Sequence, residues 1–508
     1  MTSNPGGLLA RVPTSRHEPW HGTGRWQAPR DPAMELWEGL VRAAQGMPSS
    51  PVARAALSLS ADGGRPQLGW VTPVPWPQVE DRLADPGVPL PGDGGLLVAA
   101  TGGWAFSSRA IAECAAPPAR LLVADTLDAG QVARMLVTVG GWPVPSVLAI
   151  SASGQTLETR LLTETIAIAC RAGGTARVLS EATVPGGLSL PRGSAVNALF
   201  GAPLSVPFAV VCAATGLARF RCAYEWFCAA SGSAGAAAAA LAWTVPACLT
   251  PRLHLVLPRA VGDGARLWAL QVLRQGLAGG PGRQIWCDVS VEGTVEAGFQ
   301  PDPTALTIRI TDVLPAMPAP SGGCHDEAAS AAPLALAMIT MYAVAVLTAC
   351  LGIRCGVNFT SHPAVARYKA FLEPRPGGPA AACQEVRAGE NGIVAAAARW
   401  LASQPGLSSA HLVRYDCDPP GICAAQLSEM TGRRWEVHSG SRWNHHSYQA
   451  VHGDPGVGVV AVTGGSVPAR YSGDPRLDRA LGALAGHQAA IARATCASLA
   501  PRALLITR

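Results

Sequence analysis

Ser146-Val147-Leu148-Ala149-Ile150-Ser151-Ala152-Ser153-Gly154-Gln155-Thr156-Leu157-Glu158-Thr159 is the stretch on which the reading of this chain turns. Four apolar residues in a row have the length and composition of a buried strand. Small hydroxylated residues and a glycine follow, and a helical pattern then runs to about residue 171. Working outward, short apolar runs at 96–100, 120–124 and 175–179 flank this unit, with helical patterns at 109–115 and 132–139. Strands that alternate with helices predict a parallel sheet with crossover helices. A second series has strands at 253–257, 284–291 and 306–311 and a helix at 265–276. Beyond a Pro/Gly-rich stretch at 374–379 come helices at 393–403, 422–431 and 476–499 and strands at 411–415 and 457–462. The expected architecture is α/β, with two doubly wound parallel-sheet α/β/α sandwiches at residues 61–230 and 231–508. The second carries a C-terminal helical and strand extension. Residues 1–60 read as an irregular leader with one short helix near 33–44.

Composition narrows the function classes. Of 508 residues, 39 are Lys or Arg, and Lys369 is the only lysine. Charged residues are 14% of the chain, where about a quarter is usual. A hydrophobic share of 49% and a net charge of only +5 exclude a disordered chain. No basic cluster larger than a pair such as Arg433-Arg434 occurs, so no nucleic-acid partner is expected. The 14 cysteines are scattered, without a C-x-x-C pair, and several lie in apolar runs where a thiol behaves as a small hydrophobe. No zinc-ligand spacing appears, and no metal is expected. The first 30 residues have no apolar signal core, which predicts a cytoplasmic protein. Residues 331–353 are uncharged and long enough to cross a bilayer. They lack aromatic and basic flanking anchors, so a buried core helix and no membrane are expected.

The quoted loop has its own chemistry. A helix N-terminus presents unpaired N–H groups and a partial positive charge, both suited to an anion. Gly154 permits close backbone approach. Ser151, Ser153, Thr156 and Thr159 supply more hydroxyls than a helix cap needs. The loop also follows the carboxyl end of a strand, where open α/β sheets bind ligands. A phosphate-binding loop is expected there.

These residues also resemble a known family. Ser151-x-Ser153-Gly154-x-Thr156-x-Glu158-Thr159 after a strand resembles the sugar-isomerase (SIS) domain, in the form found in phosphoglucose isomerases. Separately, Asn358-Phe359-Thr360-Ser361-His362-Pro363-Ala364-Val365-Ala366-Arg367-Tyr368-Lys369 is similar to that family's Asn-Pro-Phe-Asp-Gln-Pro-Gly-Val-Glu-x-x-Lys signature. Its final lysine is catalytic in the family, and it falls on the one lysine of this chain. Asn444-His445-His446-Ser447-Tyr448-Gln449 resembles a His-Ser-x-x-Gln element of the isomerase half of transaldolase/glucose-6-phosphate isomerase fusions.

The resemblance implies two SIS domains, a homodimer, and interconversion of an aldose and a ketose sugar phosphate by acid–base proton transfer, with no cofactor. Carried over residue by residue, it implies Lys369 and His446 as catalytic groups, with His445 as an alternative to His446. It implies phosphate binding by Ser151, Ser153, Thr156 and Thr159, and substrate binding by Gly103 and Gln449. The family's base position falls on Gln275, and a neutral amide cannot accept the proton. Glu158, Glu292 and Glu296 are the replacement carboxylates considered. Pro203 stands where the family has an arginine, Ala152 where it has a lysine, and Trp104 follows Gly103 at a point where it would crowd a small pocket. Two expectations result: a sugar-phosphate isomerase with a relocated base, or a non-isomerising sugar-phosphate-binding protein or specialised-metabolism enzyme on the same fold.

Overall fold

The computed structural model describes residues 31–508 apart from 63, 85–94, 115–119, 141–144, 152–155, 171–175, 181–187, 190–205, 247–251, 279–284, 295–301, 303, 313, 315–324, 362, 373–382, 417–420 and 465–471. The chain is a mixed α/β protein with several parallel sheets flanked by helices. It opens with two helices, α1 (Pro32–Ala44) and α2 (Pro51–Leu59), so residues 31–60 are more ordered than an irregular leader. Each starts with proline behind a capping side chain: Asp31 accepts from the Ala33 N–H and Ser50 from the Ala53 N–H. A short antiparallel pair, β1 (Ala61–Asp62) and β2 (Arg65–Pro66), and α3 (Trp76–Leu83) follow.

The first sheet is built from β3 (Leu96–Ala100), α4 (Gly103–Cys114), β4 (Leu121–Ala124), α5 (Ala129–Val139), β5 (Ser146–Ile150), α6 (Leu157–Ala169), β6 (Ala176–Ser180) and β7 (Leu188–Ser189). Its strand order is β4-β3-β5-β6-β7, all parallel. The chain leaves β3 toward β4 and returns on the other side as β5. The topological switch point therefore lies between the carboxyl ends of β3 and β5, where doubly wound sheets bind ligands. Both faces are covered. Leu96, Val98, Ala100, Leu148 and Ile150 enter one core, and Leu97, Ala99 and Val147 enter another. This double burial is why these strands read as unbroken apolar runs.

Next come α7 (Val206–Ala213), α8 (Leu217–Thr244), and a three-stranded parallel sheet of β8 (Arg252–Leu257), β9 (Trp286–Val291) and β10 (Leu306–Arg309), with α9 (Gly262–Gly276) between the first two strands. α9 lies directly on α4: a Cβ at Gly264 would sit 2.3 Å from the backbone N of Ala110. α10 (His325–Cys355) is the apolar helix anticipated above. It is long and apolar enough to cross a membrane, and 94% of its most apolar window is buried inside the protein. It packs mainly against α8 and α9. Such a helix, apolar on every side, suits a position surrounded by other elements.

After α11 (Val365–Leu372), the remaining elements form a third parallel sheet. They are β11 (Gln384–Arg387), α12 (Ile393–Ala402), β12 (Ser409–Arg414), α13 (Ala424–Thr431), β13 (Arg434–Ser439), α14 (Gly440–His446), α15 (Tyr448–Gly453), β14 (Val457–Thr463), α16 (Pro475–Leu499) and β15 (Ala503–Thr507), in strand order β11-β15-β14-β12-β13. Residues 231–508 thus hold two parallel sheets among the described residues, not the single sandwich expected. One core is shared between the first and third sheets: Leu97, Ala99, Leu162 and Ile166 pack in the same cluster as Val459, Ala461, Leu484 and Leu505. That shared core brings α6, from the first sheet, against α16, from the third.

Candidate active site

Where the first sheet meets the third, His445 lies within electrostatic reach of both Glu158 and Lys369. Glu158 stands in the first turn of α6 and is buried. His445 stands near the end of the short helix α14, and Lys369 on the outer part of α11 is exposed. Their proximity is expressed in the imidazole. The His445 pKa is lowered to about 4: burial is the largest influence, the Glu158 carboxylate opposes it, and Lys369 adds to the lowering. At neutral pH His445 is therefore an uncharged imidazole within electrostatic reach of Glu158 and Lys369. A fourth group, His487 on α16, feels the same Glu158 carboxylate, and burial lowers its pKa. Its Nε2 is buried and has no hydrogen-bond partner among the described residues.

The groups around His445 explain its position. Gly102, at the carboxyl end of β3, has φ +63°, and a Cβ there would meet His445 Nδ1 at 3.0 Å. Glycine is required twice, for the left-handed backbone and for the ring's space. From α9, the Gln275 amide donates to the His445 carbonyl, and Gln271 Nε2 donates to Gln275 Oε1 at 3.3 Å. So Gln275 does not stand in for a base; it is a donor that ties the end of α14 to α9. Gln449 is likewise structural in its visible contact: its Oε1 accepts the Ala364 N–H at 2.9 Å, anchoring the segment that enters α11 and so placing Lys369. Gly103 is buried and begins α4. Trp104 does not crowd this cleft; its indole packs into the core that holds α8 and α10.

Of the phosphate-loop residues, Ser153 lies outside the described residues, as do Ala152, Pro203 and Glu296. Ser151 is buried at the end of β5, and its hydroxyl donates to Thr156 Oγ1 at 2.9 Å. Thr156 is the residue capping α6, but its side chain makes no capping bond. Thr159 is buried one turn on, with its Oγ1 unpartnered among the described residues. These hydroxyls are not consumed in capping. Glu292 is half exposed and pairs with Arg309 at 3.4 Å, on the edge of the middle sheet. Among the described replacement carboxylates, only Glu158 is in the charge environment of His445 and Lys369.

His446, the histidine preferred from the sequence motif, faces a different cluster. Its Nδ1 is 2.7 Å from Ser447 Oγ, and its ring lies 5.2 Å from that of His438 and 6.3 Å from Phe106. On a helix, adjacent side chains point about 100° apart, so only one of two neighbouring histidines can face the cleft. The cluster around His446 is a buried ionic network. Arg274 donates to Asp288 at 2.9 Å, Glu436 at 2.8 Å and Ser447 at 2.6 Å, and Arg434 donates to Asp288 at 2.6 Å and Glu436 at 3.1 Å. Burial alone would raise the Glu436 pKa, but the Arg274 and Arg434 guanidiniums hold it well below the usual carboxylate range.

His411, Glu436 and His438 have donor atoms within 4.8 Å of one another, close enough to suggest a metal. The surroundings do not fit one. The Trp443 indole N–H donates to His411 Nδ1 at 2.9 Å, which places the ring proton of neutral His411 on Nε2, facing Glu436 at 3.7 Å. Two guanidiniums already neutralise the two carboxylates, so a dication there would face uncompensated positive charge.

No protein-family model and no curated protein matches the chain. Among solved structures, it is similar to a hypothetical protein from Thermus thermophilus, at 18% identity with a TM-score of 0.44, over 66% of this chain and 96% of that one.

Sequence reasoning missed Gln271 and His487. Gln271 opens the segment matched to the family's base element but was assigned no role, and His487, amid alanines, has no local signature.

Proposed function

We propose that the protein is an aldose–ketose isomerase for a sugar phosphate, with Glu158 as the base. The electrostatic coupling of His445 to Glu158 and Lys369, with unconsumed hydroxyls at the N-terminus of α6, carries this reading. Glu158 takes the proton from the carbon next to the carbonyl and returns it to its neighbour, through an enediol. Neutral His445 moves the hydroxyl proton during ring opening, and the Lys369 ammonium offsets charge that develops on the enediolate oxygens. Thr156, Thr159 and the N-terminus of α6 hold the phosphate. This division supplies a base without Gln275. The two five-stranded sheets are the parts of the chain that suit the two-SIS-domain expectation, with the three-stranded sheet an addition. A cytoplasmic homodimer free of metal, nucleic acid and membrane goes with the same reading.

The test is turnover of fructose 6-phosphate to glucose 6-phosphate, and of other ketose phosphates, in a coupled assay at high enzyme concentration. Glu158→Gln is expected to lower the rate by about 10²–10⁴-fold, as loss of a general base does, with the melting temperature retained. No turnover of any sugar phosphate by the wild type sinks the isomerase. A melting temperature that rises with a sugar phosphate, in the absence of turnover, would instead support the second reading, a sugar-phosphate-binding protein. The amide at Gln275 and the alanine at 152 favour that alternative.

A further inference from the structure

Away from the cleft, two cysteines meet where the edge of the third sheet joins its longest helix. Cys383 stands one residue before β11, whose first residue, Gln384, pairs with Leu504 of β15. Cys496, on α16, directs its Sγ to the carbonyl of that same Leu504 at 3.6 Å. The register thus brings both cysteines beside Leu504, and Cys383 packs against the core cluster that contains Cys496. The two differ in access. Cys383 is half-buried against the shared core, and Cys496 is fully buried within it. Neither is in a disulfide.

We propose that Cys383 and Cys496 form a peroxide-reactive dithiol, with Cys383 the attacking sulfur and Cys496 the resolving one. Hydrogen bonding from Cys496, the largest influence, holds the Cys383 pKa below the usual thiol range, which favours the thiolate. The Cys496 thiol is held up by that same contact and by burial, and stays protonated until needed. In the first step the Cys383 thiolate attacks a hydroperoxide oxygen. The O–O bond breaks, the sulfur is oxidised by two electrons to a sulfenic acid, and the peroxide leaves as hydroxide or alkoxide. In the second step the Cys496 sulfur attacks the Cys383 sulfur. The S–S bond forms, the S–O bond breaks, and the departing hydroxide takes the Cys496 proton as water. Exposed Cys423, on the loop before α13, is the natural internal control.

The experiment uses the full-length reduced protein and hydrogen peroxide, followed by non-reducing digestion and mass spectrometry. A peptide linking Cys383 to Cys496 is expected, reversible by dithiothreitol. In the Cys496→Ala variant, dimedone is expected to trap a sulfenic acid on Cys383. In the untreated wild type, iodoacetamide at neutral pH is expected to label Cys383 at least several-fold faster than Cys423. Equal or slower labelling of Cys383, or peroxide treatment that leaves it neither linked nor dimedone-reactive, overturns the proposal. The wild-type measurements decide it even where Cys496→Ala folds poorly, and none depends on isomerase activity.

Discussion

His445 and His446 are neighbours in the chain and opposites in chemistry. One feels the charges of Glu158 and Lys369 and the other those of His438 and Arg274. The expected consequences separate. His445→Asn should lower isomerase turnover by about 10²-fold or more while leaving stability within about 1 kcal/mol. His446→Asn should act mainly on stability, by about 1–3 kcal/mol, because it disturbs a buried polar neighbourhood. Rates and urea midpoints of the two variants check this, and equal loss of rate in both would refute the assignment. Gln275 allows a second test. The family analogy makes Gln275→Glu the variant that restores a base. In the structure an ionised glutamate would instead face the His445 carbonyl without a proton to donate. Gln275→Glu is therefore expected to reduce activity and to cost about 1–3 kcal/mol of stability. A gain in turnover would place the base at 275 and not at 158.

Helices and strands position these groups through close contacts that only small residues allow. α9 reaches the cleft because Gly264 lets it rest on the backbone of α4, and the same helix carries Gln271 and Gln275. Gly264→Ala should separate the two helices, costing about 1–3 kcal/mol as overpacking does, and should weaken substrate turnover through the displaced Gln275. An unchanged denaturation midpoint would show that the crossing relaxes freely. The strands show how far local pattern reaches. β3, β5, β8 and β14 are legible as apolar runs because they are buried on both faces. β13 is not legible, because its Arg434, Glu436 and His438 are withdrawn from water by pairing with one another and with Arg274 and Asp288, residues far away in the chain. β11, with the sequence Gln-Glu-Val-Arg, is mostly exposed at the sheet edge and has no apolar run to detect. These two polar strands are the edges of the third sheet.

Taken as a whole, the molecule collects neutral histidines where its sheets meet. Burial lowers the pKa of His411, His438, His445 and His446. For a histidine whose folded pKa lies below its unfolded value near 6.5, the unfolded chain binds more protons in between. Stability is then full above about pH 6.5 and falls as the pH drops toward the folded values. The slope is at most about 1.4 kcal/mol per pH unit for each such histidine. Urea midpoints should decline steadily from about pH 6.5 to about pH 5, before the carboxylates titrate, and a flat profile over that window would contradict the arrangement.

The local pattern of residues was enough for the parallel α/β class, for the strand–loop–helix unit ending in Glu158, and for the burial of the apolar helix α10. Periodicity and helix-terminus chemistry act over a few residues and leave their mark in the sequence directly. Which of two adjacent histidines lies beside Glu158, that Gln275 donates instead of accepting a proton, and that the second half holds two sheets were settled by packing. The two histidine environments and the Gln275 contact depend on elements far away in the chain, and the polar strand β13 is buried through charge pairs with the distant Arg274 and Asp288. No short window of the chain could contain those answers.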